Sequence, residues 1–89
     1  MNQMNSVIFE GFVDHWFEDS KRIMMHSDRQ EDNGEKTFLY MSVLVPNERM
    51  AEGFNRQWTG ANQKIRVVGR LAWDDDRVSI LAEHIDYRT

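Results

Sequence analysis

Nine residues in the middle of the chain, Thr37 to Val45, leave room for little except a pleated strand. Leu39, Met41, Val43 and Val45 fall on one parity and Phe38, Tyr40, Ser42 and Leu44 on the other. A period of two sends successive side chains to opposite faces of a sheet. The first set therefore reads as a core face, and the second puts Phe38 and Tyr40 on an outer face. Pro46, the only proline, ends the strand because it has no amide to donate to a neighbour.

The rest of the chain supplies partners for that strand. Arg22 to His26 is a second strand, and the Asn33-Gly34 pair between the two predicts an antiparallel hairpin closed by a type I′ turn, whose two central residues take positive φ. Ser6 to Val13 has apolar side chains on both parities, so it reads as a strand bent at Gly11, with Phe9 and Phe12 inside. His15 to Lys21 is polar except for Trp16 and Phe17 and is expected to be a loop. After Pro46, Asn47 is a helix cap, and Met50, Ala51, Phe54 and Trp58 recur at helical spacing in a short segment weakened by Gly53. Lys64 to Trp73 is a strand with Ile65, Val67, Gly69 and Leu71 on one face and Arg66, Val68 and Arg70 on the other. Asp74-Asp75-Asp76 makes a turn. Arg77 to Tyr87 closes the chain as a strand whose apolar phase slips midway, which calls for a bulge or for burial on both faces.

At 89 residues this is one domain, residues 1–89, near the lower limit for a self-sufficient core. Three strands, a helix and two strands, without repeat or linker, are the order of an all-β domain with one short helix. That order is the five-stranded OB-fold Greek-key barrel, in which a helix between strands three and four plugs one end. A composition of 40% hydrophobic and 29% charged residues excludes a disordered chain. There is no cysteine, hence no disulfide or thiolate metal site, and no apolar run long enough to span a bilayer. The start is polar and has no leader pattern, so a soluble, cytoplasmic protein is expected.

Short stretches in the right order carry a resemblance. Met4-Asn5-Ser6-Val7-Ile8-Phe9-Glu10-Gly11, Ser42-Val43-Leu44-Val45 with Met50-Ala51-Glu52 after it, Arg66-Val67-Val68-Gly69-Arg70-Leu71 and Ala82-Glu83-His84-Ile85 follow one another along nearly the whole chain. The sequence so resembles the bacterial single-stranded-DNA-binding proteins, and it is also similar to primosomal replication protein B, a tail-less OB dimer. The resemblance implies an OB barrel that holds single-stranded DNA, serves replication, recombination or repair, and assembles as a homodimer or homotetramer. The disordered acidic tail with which such proteins recruit partners is not expected, since the chain stops at Thr89. A tryptophan usual near the end of the second strand is missing from Met24 to Arg29, and the first loop and last hairpin are short.

Single-strand binding needs flat aromatic faces for bases and cations along the backbone path. Phe38 falls where the family keeps a stacking tryptophan; Phe38 and Tyr40 either stack bases or fill a subunit interface. Trp73 matches the region of another family tryptophan, although its parity is that of the core face. Trp16 and Phe17 are weaker candidates, and Trp58 reads as core. Arg22, Arg29, Lys36, Arg66 and Arg70 are the candidate phosphate contacts, with solvated ion pairs as the alternative for each.

Against nucleic-acid binding stand the net charge of -4 and a pI near 5.2. They leave open a second function, an OB module for protein interaction or assembly with little or no DNA binding. His15, His26 and His84 show no metal-ligand spacing, the aspartate run lacks the glycine and distal glutamate of a calcium loop, and no nucleophile motif is present. No metal, no cofactor and no enzymatic activity are expected.

Overall fold

A computed structural model describes residues 5–88; Met4, the first residue of the resembling stretch, and Thr89 lie outside the described residues. The elements are β1 (Ser6–Phe17), β2 (Arg22–Gln30), β3 (Lys36–Leu44), α1 (Glu48–Gln57), β4 (Lys64–Asp74) and β5 (Arg77–Tyr87). They close a barrel in the order β1-β2-β3-β5-β4, with β4 returning to β1. All pairings are antiparallel except β3 with β5, where Val43 faces Ile80 and Leu44 faces Leu81. That single parallel junction gives the Greek-key closure and leaves no free edge between the first and last strands.

Inward parity fills the barrel. Val13, Ile23, Met25, Val43, Ile65, Val67 and Ile80 are fully buried, and each such side chain contributes about 1.5–3 kcal/mol by leaving water. Helix α1 plugs one end. The Asn47 side chain accepts a hydrogen bond from the Met50 amide at 2.9 Å and starts it as expected. Ala51 and Phe54 are buried beneath it, and Trp58, partly buried, stacks on Phe54 with ring centroids 5.9 Å apart and so packs against the core, as its spacing suggested.

Three local readings need correction. β1 does not end at Val13: it runs on to Phe17, and the segment expected as a loop shrinks to the turn before Arg22. A bulge at Asp14 makes this possible, since Val13 faces Met25 while His15 already faces Met24. β2 likewise continues to Gln30, because the β2–β3 hairpin projects beyond the barrel where its polar residues meet solvent on both sides. The turn types are exchanged. Of Asn33 and Gly34 only Gly34 has positive φ, and the Gly34 amide bonds the Glu31 carbonyl at 2.9 Å, a type I turn completed by a left-handed glycine. The two-residue turn with both φ positive is built instead by Asp75 and Asp76.

The phase slip in the last strand is a bulge: Val68 faces His84 but Gly69 faces Ala82, which places both Ala82 and Ile85 in the core. Gly11 and Gly69 sit where strands cross closely. A methyl on Gly11 would collide with the His26 carbonyl, and one on Gly69 with that of Leu81.

Candidate nucleic-acid interface

The β2–β3 ladder pairs without interruption from Arg22 opposite Leu44 to Gln30 opposite Lys36, so its faces can be read residue by residue. Lys36, Phe38, Tyr40, Ser42 and Leu44 share the outward face with Arg22, Met24, His26 and Asp28. Phe38 is 52% exposed and Tyr40 66% exposed, although both rings are large and apolar. They lie nearly parallel, 28° between planes and 6.4 Å between centroids. His26 stands against both, 6.0 Å from Phe38 and 5.8 Å from Tyr40, and Phe12 joins from β1 at 5.6 Å. The Asp14 carboxylate holds His26 through Nδ1 at 2.8 Å. Four flat rings thus form one open patch, kept in place by a bulge residue.

Phe12 was expected inside; it is half-buried and faces out. Its parity is opposite to that of Phe9, Gly11 and Val13, which point inward. Neither Phe12 nor His26 was a site candidate from sequence, although His26 shares its parity with Arg22 and Met24 and so could have been placed on the outer face.

Trp16 is corrected outright. It is 6% exposed, its ring packs on Phe54 at 4.8 Å, and its indole N–H donates to Asn55 Oδ1 at 2.7 Å. A base cannot stack there. The bulge at Asp14 shifts parity by one, which sends Trp16 in and leaves Phe17 outside against the His15 ring, 4.3 Å away. Without it Phe17 would have taken the inward position. Trp73 departs in the other sense: it has core parity but is 78% exposed, because the β4–β5 hairpin outruns the barrel. Leu71, also of core parity, is exposed for the same reason, and Leu39 because the β2–β3 hairpin projects likewise; neither is core.

The cations divide. Lys36 shares the face of Phe38 and Tyr40 and has no carboxylate within 4 Å among the described residues. Arg22 is on that face too, but it is bound to Asp74 and to the Ser42 hydroxyl. Arg29 lies on the opposite parity, 3.8 Å from Glu31. Arg66 and Arg70 project from β4, which pairs only with β1 and β5 and so sits across the barrel from β2 and β3. Arg70 is engaged by Glu83 at 2.9 Å. The expected phosphate track is therefore not one track. Arg77, absent from the expected set, stands at the start of β5 with no carboxylate within 4 Å among the described residues.

No family model and no curated protein matches the sequence. Solved structures match the fold over nearly its full length. A small single-stranded DNA binding protein from Mycoplasma pneumoniae is 16% identical with a TM-score of 0.76, the match covering 94% of this chain and 93% of that one. The Plasmodium falciparum SSB, in complex with ssDNA, is 8% identical with a TM-score of 0.71 over 100% and 98%. The N-terminal domain of PriB from Thermoanaerobacter tencongensis, dimeric in its structure, is 14% identical with a TM-score of 0.59 over 96% and 97%.

The chain has an SSB-like OB fold.

In an OB barrel the outer face of strands two and three, with the loops joining strands one to two and four to five, is where oligonucleotides are held. The aromatic patch of this OB barrel occupies that face. No group of three or more metal-ligating side chains is found among the described residues, and no helix is long and apolar enough to cross a membrane.

Proposed function

We propose that the protein binds single-stranded DNA with little regard to sequence and does no chemistry on it. The observation that carries this reading is the exposed, nearly parallel Phe38–Tyr40 pair set against His26 and Phe12. Water gains nothing from such rings, and a soluble fold exposes them at a cost, whereas any base has a π-face to lay on them. Lys36 supplies a phosphate contact at one end of the row. Trp73, exposed on the β4–β5 hairpin, is a further ring on which a base can lie, apart from this patch. The net charge of -4 does not forbid this, since a local positive charge such as Lys36 beside the rings can act on an acidic protein.

The matched folds named above belong to proteins described as binding single-stranded DNA, one of them solved with it, and the PriB domain is described as dimeric. They support single-strand binding and self-assembly; a cytoplasmic role in replication, recombination or repair, as a homodimer or homotetramer, belongs to the same proposal. A protein-interaction module is the second reading, favoured by the apolar Leu39, Leu71, Trp73 and Val78 exposed where the barrel is unplugged.

Titration with labelled oligo-dT at two salt concentrations tests the choice. Binding that weakens steeply with salt, and weakens again in Phe38→Ala and Tyr40→Ala, is the expected result. Unchanged anisotropy at every protein concentration would leave the protein-interaction reading.

A further inference from the structure

One carboxylate reaches onto the aromatic face from another part of the barrel. Asp74, the last residue of β4, engages Nη2 of Arg22 at the start of β2, and the buried Ser42 hydroxyl accepts a hydrogen bond from Nη1 of the same guanidinium. Arg22 shares its outward face with Met24, His26, Phe38 and Tyr40. The ion pair is largely withdrawn from water, its side chains 17% and 22% exposed, so salt screens it less than an open surface pair. Arg77 lines the same recess beside Arg22 and has no carboxylate within 4 Å among the described residues, so two guanidiniums share one carboxylate.

The hairpin itself does not call for this charge. Asp74, Asp75 and Asp76 stand in series, and the positive φ of Asp75 and Asp76 is met as well by asparagine or glycine, which carry none. A guanidinium offers the same planar donors to a carboxylate and to a phosphate. Resting on the single-stranded-DNA reading, we infer that Asp74 is an autoinhibitory contact, an internal anion that holds Arg22 in place of a backbone phosphate and must be displaced before a strand gains that cation. Ser42 keeps the guanidinium on the face during the exchange, because only the Nη2 partner changes. The acidic turn thereby lowers affinity for single strands without touching the rings.

Oligo-dT of about 16 nucleotides, the upper span of one OB fold, is titrated by anisotropy at a series of salt concentrations. Parent, Asp74→Asn, Asp75→Asn and the double variant Asp74→Asn with Arg22→Gln are compared, each first confirmed folded by near-ultraviolet circular dichroism. Asp74→Asn is expected to bind about five-fold or more tightly than the parent and to steepen the salt slope by about 0.7, the increment of one further phosphate contact on a single strand. Asp75 is exposed and has no cation within 4 Å among the described residues. Asp75→Asn therefore removes the same charge from the same turn without freeing Arg22, and stays within about two-fold of the parent. Adding Arg22→Gln to Asp74→Asn abolishes the gain. If the parent binds but Asp74→Asn binds no better than Asp75→Asn, the autoinhibitory contact is overturned and the single-strand reading stands. If none of the four binds at any salt, that reading fails and the inference with it. Should Asp74→Asn not fold, the parent decides alone: saturating oligo-dT is expected to move the nuclear magnetic resonance of the Asp74 carboxyl carbon to the position of a solvated aspartate, and an unmoved resonance overturns the proposal.

Discussion

The two ends of the barrel carry the same kind of side chain and treat it oppositely. At the plugged end Trp16, of inward parity after the bulge, is sealed by Phe54 and has its indole N–H satisfied by Asn55. At the open end Trp73, also of inward parity, stands in solvent with Val78, opposite it in the ladder, and Leu71, two residues before it on the same face. The difference is α1, which caps one mouth of the barrel and not the other. Inward parity therefore means core only where another element completes the enclosure. Tyr87 shows the same contrast in its chemistry, for burial beside Phe54 pushes its phenol up from the ordinary tyrosine range.

The largest effect should separate the two tryptophans. Trp16→Ala is expected to lose about 3–5 kcal/mol of unfolding free energy, while Trp73→Ala stays within about 0.5 kcal/mol. Urea unfolding of both variants measures this, and equal losses would break the comparison. Next come changes on the outer face: Phe38→Ala or Tyr40→Ala should cost about 1–3 kcal/mol of oligo-dT affinity with little loss of stability. Gly11→Ala should do the reverse, destabilising by about 1–3 kcal/mol as the strands are forced apart at the His26 carbonyl. Asn47→Ala removes the cap of the plug, and a drop of about 1 kcal/mol in thermal or chemical stability is anticipated. The smallest effect belongs across the barrel. Arg70→Gln breaks an exposed ion pair with Glu83 worth about 0–1 kcal/mol, and a change in DNA affinity comparable to that of Phe38→Ala would show that strand four is part of the binding path after all.

Much of the fold was legible in local pattern. Alternation along Thr37 to Val45, the cap at Asn47 and the helical spacing of Ala51, Phe54 and Trp58 each express a short-range rule, and the slip in the last strand pointed to its bulge. Phe38 and Tyr40 could be placed outward for the same reason. The extension of β1 could not be read, because a single extra residue at Asp14 inverts every side chain after it and leaves no compositional mark. Two adjacent aromatics there could have gone either way round. The cations were readable as charges but not as a set, since barrel closure puts Arg66 and Arg70 opposite the face that Lys36 shares with the rings.

The sequence by itself determined the order of elements, the strand faces wherever the ladder runs unbroken, and the supply of aromatics and arginines. Tertiary structure decided which of them meet: that Trp16 seals the core and Phe17 faces out, that Trp73 is exposed despite its parity, and that His26 and Phe12 complete the patch around Phe38 and Tyr40. The physical reason is that parity and propensity act over a few residues, whereas enclosure depends on which strands close the ring and where the helix lies, and those are settled by contacts between residues far apart in the chain.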